Sequence, residues 1–237
     1  MTPSEVFWHD LEHAGYVADL PIWLEIASAE QQMVVELGCG TGRVACFLAA
    51  NGVSVIGIDN NGELLAALLA RTAPGCHIKA EETDLLGEWK PPAAASFVAP
   101  AMFFQTIGSS AVRSELLSRI HRALDPEGLL AISVVDDLKP YSPVDLERLP
   151  SESVMLKGVL YESRAVAMQA AGDQIHLVRE RRVDRQLASV TTQSLTPWSI
   201  DEAIEEAAAS GLTLERMVPV RGTGRHGAMT ILVFHAT

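Results

Sequence analysis

The sequence predicts an α/β protein built on a mostly parallel sheet covered by helices on both faces. Three observations predict it. Short apolar runs and helical patterns alternate from residue 33 to 135 through short links, the sign of crossover units. The runs 33–37, 53–58 and 129–135 are almost wholly apolar, as strands buried on both faces must be. Hydrophobic residues make up 48% of the 237-residue chain, enough for a sizeable core and too many for a disordered chain. That length suits one α/β domain carrying an insertion.

Residues 1–30 read as a helical cap. Pro3, Ser4 and Glu5 open a first helix. In a second, over 18–29, Leu20, Trp23, Leu24 and Ile26 recur at helical spacing. The core follows over 31–136. A strand at 33–37 runs into glycines, and a helix at 41–50 places Val44, Phe47 and Leu48 on one face before Asn51-Gly52 stops it. A strand at 53–58 leads to Asp59, and a helix covers 61–71. Strands at 76–80 and 96–101, a helix at 110–124 and a strand at 129–135 complete the alternation. Asp125-Pro126-Glu127-Gly128 reads as the turn that ends the helix.

The pattern then changes. Over 150–197 no convincing helix is seen, and 154–168, 174–184 and 188–195 read as strands of an antiparallel insertion, the first two joined at Ala171-Gly172-Asp173. Pro197 ends it. Ser199-Ile200-Asp201-Glu202 has the form of a capping box for a helix that stops at Gly211. Strands at 212–220 and 228–235 end a final segment, 198–237, and the whole reads as one domain.

The chemistry concentrates in Glu36-Leu37-Gly38-Cys39-Gly40-Thr41-Gly42. Glycine permits positive φ and has no Cβ, so a ligand can approach this backbone closely. At the C-terminal edge of a parallel sheet, such a loop lies where open α/β folds bind ligands. Asp59 ends the next strand 21 residues after Gly38, and a carboxylate there can accept both hydroxyls of a ribose. A dinucleotide site calls for G-x-G-x-x-G, with a helix N-terminus for pyrophosphate. Here Arg43 holds the third glycine's place, which weakens a nicotinamide or nucleotide-sugar oxidoreductase. The run is instead G-x-G-x-G preceded by Glu36, suited to a nucleoside whose far end carries an ammonium group.

The run V-V-E-L-G-C-G-T-G-R-V resembles the first motif of the class I S-adenosylmethionine (SAM)-dependent methyltransferases. V-I-G-I-D-N at 55–60 resembles their second, E-T-D-L-L at 82–86 the segment that holds the adenine, and R-A-L-D-P-E-G-L-L-A-I-S at 122–133 the closing helix, turn and strand. The resemblance spans roughly 30–136. It implies a Rossmann-like sheet of seven strands, the last antiparallel, with SAM as cofactor and S-adenosylhomocysteine as product. It further implies that Glu36 orients the loop and meets the methionine ammonium, while Gly38 and Gly40 pass close to the methionine, with Cys39 and Gly42 in the same cofactor-binding set. Asp59 then binds the ribose, with Asn60 beside the adenine. Asp84 accepts from the adenine amino group and Leu85 N–H meets a ring nitrogen. Ala101-Met102 flank the sulfonium, and Tyr16 is placed at the carboxylate end. The chain departs from the family's pattern near Ser96, where an acidic residue is usual, and relatives' polar residues give way to Met102 and Thr106.

Candidate bases on the acceptor side are His9, His13, Asp136 and His226, with Asp137 beside Asp136. No pair of the three cysteines, Cys39, Cys46 and Cys76, has metal-ligand spacing, and Asp136-Asp137 lacks the further acidic partners that a metal site needs, so no metal is expected. The cysteines read as reduced thiols. Arg164, Arg179, Arg181, Arg182 and Arg185 leave neither face of the insertion cleanly apolar. A charged, solvated sheet with cross-strand pairs is expected, the alternatives being an arginine that faces an acidic acceptor or a homodimer contact. The net charge of −12 repels phosphate backbones and excludes a general nucleic-acid binder. A basic leader and a membrane-length apolar stretch are both missing, so a cytoplasmic protein with no membrane partner is expected. The expected activity is methyl transfer to oxygen or nitrogen of a small metabolite. The alternative is a SAM-binding protein that does not transfer the methyl, a pericyclase-like enzyme or a ligand-sensing subunit.

Overall fold

The computed structural model describes residues 3–28, 33–142, 145, 151–223 and 227–236, and these are the described residues below. In chain order the core strands are β1 (Val34–Leu37), β2 (Val55–Asp59), β3 (Ile78–Glu82), β4 (Ala94–Ala99) and β5 (Leu124–Val134). The insertion supplies β6 (Glu152–Leu156), β7 (Val159–Ala171), β8 (Gln174–Val183) and β9 (Gln186–Leu195), and the chain ends with β10 (Leu212–Val220) and β11 (Met229–Ala236). The helices are α1 (Glu5–His13), α2 (Leu20–Ser28), α3 (Arg43–Ala50), α4 (Gly62–Arg71), α5 (Phe103–Thr106), α6 (Ser110–His121) and α7 (Ile200–Ala209).

The seven core strands form one sheet in the order β10-β11-β5-β4-β1-β2-β3. β1 to β5 pair in parallel, and β11 runs antiparallel to both β5 and β10. The period-2 alternation of each strand feeds the two faces. Val35, Leu37, Phe97, Leu130 and Ile132 join one core with Phe104, Leu117 and Trp198, while Val34, Val98, Ala131 and Val233 join the other with Trp23, Leu48 and Leu68. Strand order reverses at β1, between β2 and β4, so the carboxyl ends of these strands open a crevice at the switch point. Among the described residues, no helix is long and apolar enough to cross a membrane.

Three local readings change. Asp125 to Gly128 do not precede β5 but bulge out of it, since Ala94 pairs with Leu124 and Ser96 already with Leu129. The expected strand at 154–168 is two strands: Lys157 and Gly158, at φ 50° and 80°, fold a hairpin loop whose two positive-φ residues match the twist of the flanking strands. Asp184 and Arg185, at 46° and 68°, do the same between β8 and β9. The capping box on α7 forms as expected, Ser199 Oγ accepting from Glu202 N and Glu202 accepting from Ser199 N.

The insertion's arginines correct the largest expectation. Only one face of β8 is solvated. The face that carries Arg179 and Arg181 lies on α1, where Arg181 is 5% exposed. Its guanidinium donates to Glu12 Oε1 (2.9 Å) and Oε2 (3.1 Å) and to both Glu5 oxygens (2.8 and 2.9 Å). Arg179 donates to Glu152 (2.9 Å) and to Ser163 Oγ (3.2 Å), which itself donates to Glu12 (2.7 Å). Periodicity misread this face because its apolar partner is the Trp8 ring, 5.6 Å from Arg181 Cζ, on a helix about 170 residues away in sequence.

Candidate active site

β1 stops at Leu37 and the chain turns sharply. Gly38 and Gly40 take φ of 66° and 54°, a region that side chains with a Cβ avoid. Space is equally decisive. A Cβ on Gly38 would lie 2.6 Å from the Phe103 ring, and one on Gly40 2.5 Å from His9 Nε2. The loop is therefore sandwiched between α5 and α1. Asp59, at the end of β2, holds it in shape: Gly40 N donates to Asp59 Oδ2 (2.8 Å) and Asn61 N to Oδ1 (2.9 Å). α1 is tied down by Thr41, whose hydroxyl donates to Asp10 Oδ1 (2.8 Å), and by Arg71 of α4, which binds both Asp10 oxygens.

A cleft of about 410 Å³ opens over this loop. Of the residues expected to hold the cofactor, Glu36, Gly38, Cys39, Asp59, Asn60, Asp84, Leu85 and Ala101 line it together. His9 and His13 line it too. Gly40 lies beneath His9, and Gly42 precedes α3 and packs on Leu68 away from the lining. Met102 is not in the wall. Its N–H donates to Ser133 Oγ (3.1 Å), and it follows Ala101 in a turn where both residues have positive φ, 55° and 60°. Such strain persists only where the surroundings enforce it.

Three expected residues lie elsewhere. Tyr16 lines a separate cavity of about 320 Å³ with Glu12, Glu152 and Thr223, its ring 5.3 Å from the Arg43 guanidinium. Asp136 accepts from Ile200 N (2.8 Å) and so holds the start of α7, while Asp137 pairs with Lys139 (2.5 Å). His226 lies outside the described residues.

Arg43, Thr83, Leu86, Pro100, Phe103, Thr106, Ile107 and Gln193 also line the cleft. Thr83, Leu86 and Pro100 flank residues already singled out, and that adjacency was the available signal. Phe103, Thr106 and Ile107 arrive with α5, four residues long and too short for periodicity to reveal. Gln193 comes from the insertion and carries no local signal.

The electrostatics divide the cleft. Glu36 is 3% exposed, its Oε2 has no hydrogen-bond partner among the described residues, and burial pushes its carboxyl up to about 8. An orphaned buried carboxyl beside a glycine cradle suits an incoming ammonium, which would restore its charge. Burial raises the Cys39 thiol far above its ordinary value, leaving it unreactive. Burial lowers His9; His13 is exposed at the cleft but crowded by protein atoms, and it is lowered too, helped by the neighbouring His9 ring at 4.8 Å, which disfavours a positive charge there. Both imidazoles are thus neutral near pH 7. Thr41 gives its one hydroxyl proton to Asp10. Its 3.3 Å contact with His9 Nδ1 is then a hydrogen bond only if Nδ1 donates, an assignment from the network that leaves Nε2 with a free lone pair.

Residues 34–128 match the family model described as a methyltransferase domain. The trans-aconitate 2-methyltransferase of Acidovorax sp. (strain JS42) is 29% identical over 122 residues, 51% of this chain and 45% of that protein. The chain thus matches about half the length of this curated relative. CalS10, an amino pentose methyltransferase from Micromonospora echinaspora solved with SAM bound, superposes with a TM-score of 0.70 at 17% identity, over 100% of this chain and 99% of that one. The sugar N-methyltransferase KedS8 from Streptoalloteichus sp. ATCC 53650 superposes at 0.72 and 16% identity, over 100% and 94%. Residues 34–128 are thus similar to a methyltransferase domain, and the whole chain has the fold of these solved methyltransferases, with the sheet order and glycine loop described above. CalS10 was solved with SAM bound, and in this chain the motifs that resemble those of SAM-dependent methyltransferases come together at the cleft.

Proposed function

We propose that the chain transfers a methyl group from SAM to an oxygen or nitrogen of a small metabolite by in-line displacement. The observation that carries this reading is the single cleft in which the Glu36, glycine-loop, Asp59 and Asp84 set meets two neutral imidazoles. Bound SAM supplies an electrophilic methyl on a sulfonium. Glu36 would accept from the α-ammonium, the loop backbone at Gly38 would hold the methionine, Asp59 would accept from the ribose hydroxyls, and Asp84 with Leu85 would bind the adenine. His9 Nε2 and His13 hold lone pairs that accept a hydrogen bond from the acceptor and orient it. Phe103 and Ile107 exclude water beside the reacting atom, and holding the two partners in line supplies much of the rate.

The amino pentose and sugar N-methyltransferases that share the fold support a small acceptor. Calorimetric titration tests the cofactor assignment: SAM and S-adenosylhomocysteine bind the wild type, and Asp59→Ala weakens both at least tenfold, roughly the worth of hydrogen bonds to a charged group. Equal binding by the variant would remove the assignment. Release of S-adenosylhomocysteine only when an acceptor is added separates transfer from mere SAM binding.

A further inference from the structure

The acceptor end of the cleft has its own charge logic. Apart from the groups assigned to SAM, its described walls include His9, His13, Phe103, Thr106, Ile107 and Gln193, none with a fixed charge. Three carboxylates, Glu36, Asp59 and Asp84, share the same space. The one arginine among the described lining residues, Arg43, is already engaged: it donates to both oxygens of buried Asp19 (2.6 and 2.8 Å) and to the Tyr16 carbonyl (2.8 Å). The arginines of the insertion that approach α1 are held by Glu5, Glu12 and Glu152. A carboxylate entering here would lose its hydration without gaining a countercharge among the described residues, an unfavourable transfer.

Gln193 adds a second observation. β9 is fastened at its end, where Leu195 is buried and Thr196 N donates to Gln105 O (2.7 Å). Gln105 is itself locked to the end of β5 by two bonds between its side-chain amide and Val135, at 2.9 and 3.0 Å. Strand alternation puts Gln193 on the same face as Leu195, where it is exposed and lines the cleft. An exposed amide on a strand with a fastened end offers donors and an acceptor without charge.

We propose that the acceptor is a small hydroxylated amine and that Gln193 is a specificity-determining residue, hydrogen-bonding the acceptor beside its reacting nitrogen while the cleft excludes carboxylates. This rests on the methyl-transfer reading above. The acceptor reacts as its free amine, its ammonium proton having gone to solvent, while an imidazole accepts a hydrogen bond from the remaining N–H. The amine's lone pair then forms the new N–C bond as the S–C bond breaks, and the S–C pair stays on sulfur as S-adenosylhomocysteine leaves.

The test loads the protein with S-adenosylhomocysteine and titrates it with glucosamine, with ethanolamine and with trans-aconitate. Binding of at least one amine, and no heat from trans-aconitate at the same concentration, is expected. Gln193→Ala should weaken the amine about three- to tenfold and leave S-adenosylhomocysteine affinity and melting temperature unchanged. Trans-aconitate binding as tightly as the amines, silence from both amines, or an indifferent Gln193→Ala variant would each overturn the proposal. Failure of S-adenosylhomocysteine to bind in the first titration would instead remove the cofactor reading, and this inference with it.

Discussion

At the residue scale the glycine loop and Glu36 make separable demands. Gly38→Ala forces a Cβ into the Phe103 ring at 2.6 Å while keeping positive φ. A loss of about 1–3 kcal/mol is expected in denaturant unfolding, with SAM binding lost from calorimetry. Glu36 sets a pH dependence. Its folded value of about 8 lies above the ordinary 4.5, so the ligand-free protein carries an extra proton between those limits. A bound ammonium favours the carboxylate and expels that proton. SAM affinity should therefore rise from about pH 6 to about pH 8, approaching tenfold per unit, and Glu36→Gln should flatten the profile. A wild-type profile that falls over this range would contradict the assignment. The same burial makes the ligand-free fold lose stability as pH rises through the window, because the native state favours the neutral acid. Much of this half of the site was legible, because Glu36, Gly38, Asp59 and Asp84 lie at strand ends fixed by local pattern. The acceptor half was not, because Phe103, Thr106 and Gln193 meet only after α5 and β9 are brought together in space.

At the element scale α1 is the part whose role the sequence hid. Its register with β8 depends on Arg181, which with Glu12 is almost wholly buried while Glu5 stays half exposed, so Glu12 carries most of the electrostatic weight. Arg181→Met strands that carboxylate. A loss of about 3 kcal/mol, or roughly 6–12 °C in melting temperature, is expected. Glu12→Gln added to it should recover much of the loss, since removing both partners leaves no uncompensated charge. A loss too small to resolve would show that water screens the network. The core strands needed no such long-range knowledge, since nearly continuous apolar runs such as Val34–Leu37 declare themselves. The hairpin at Lys157-Gly158 was missed for a local reason: lysine is a poor signal for a positive-φ turn, and the apolar residues on either side read as one strand.

At the scale of the whole molecule, three contacts run in series from the insertion to the cofactor loop. Arg181 holds Glu12 on α1, Asp10 of the same helix holds Thr41, and His9 covers Gly40. The helix is thus a wall of the cleft supported from behind by a sheet that contributes Gln193 in front. Cofactor binding should stabilise this chain of contacts beyond the loop itself. At a SAM concentration one hundred times its Kd, global stability should rise by about 2.7 kcal/mol, or roughly 5–10 °C. Hydrogen exchange should show where it acts: amides of α1 and of residues 38–42 slow on SAM addition, while the hairpin around Gly172, at the far end of β7 and β8, does not. Arg181 does not line the cleft, yet Arg181→Met should weaken SAM binding and reduce the protection of α1 together. If SAM protects α1 equally in that variant, the helix is held by the cofactor loop alone and the insertion serves only the acceptor.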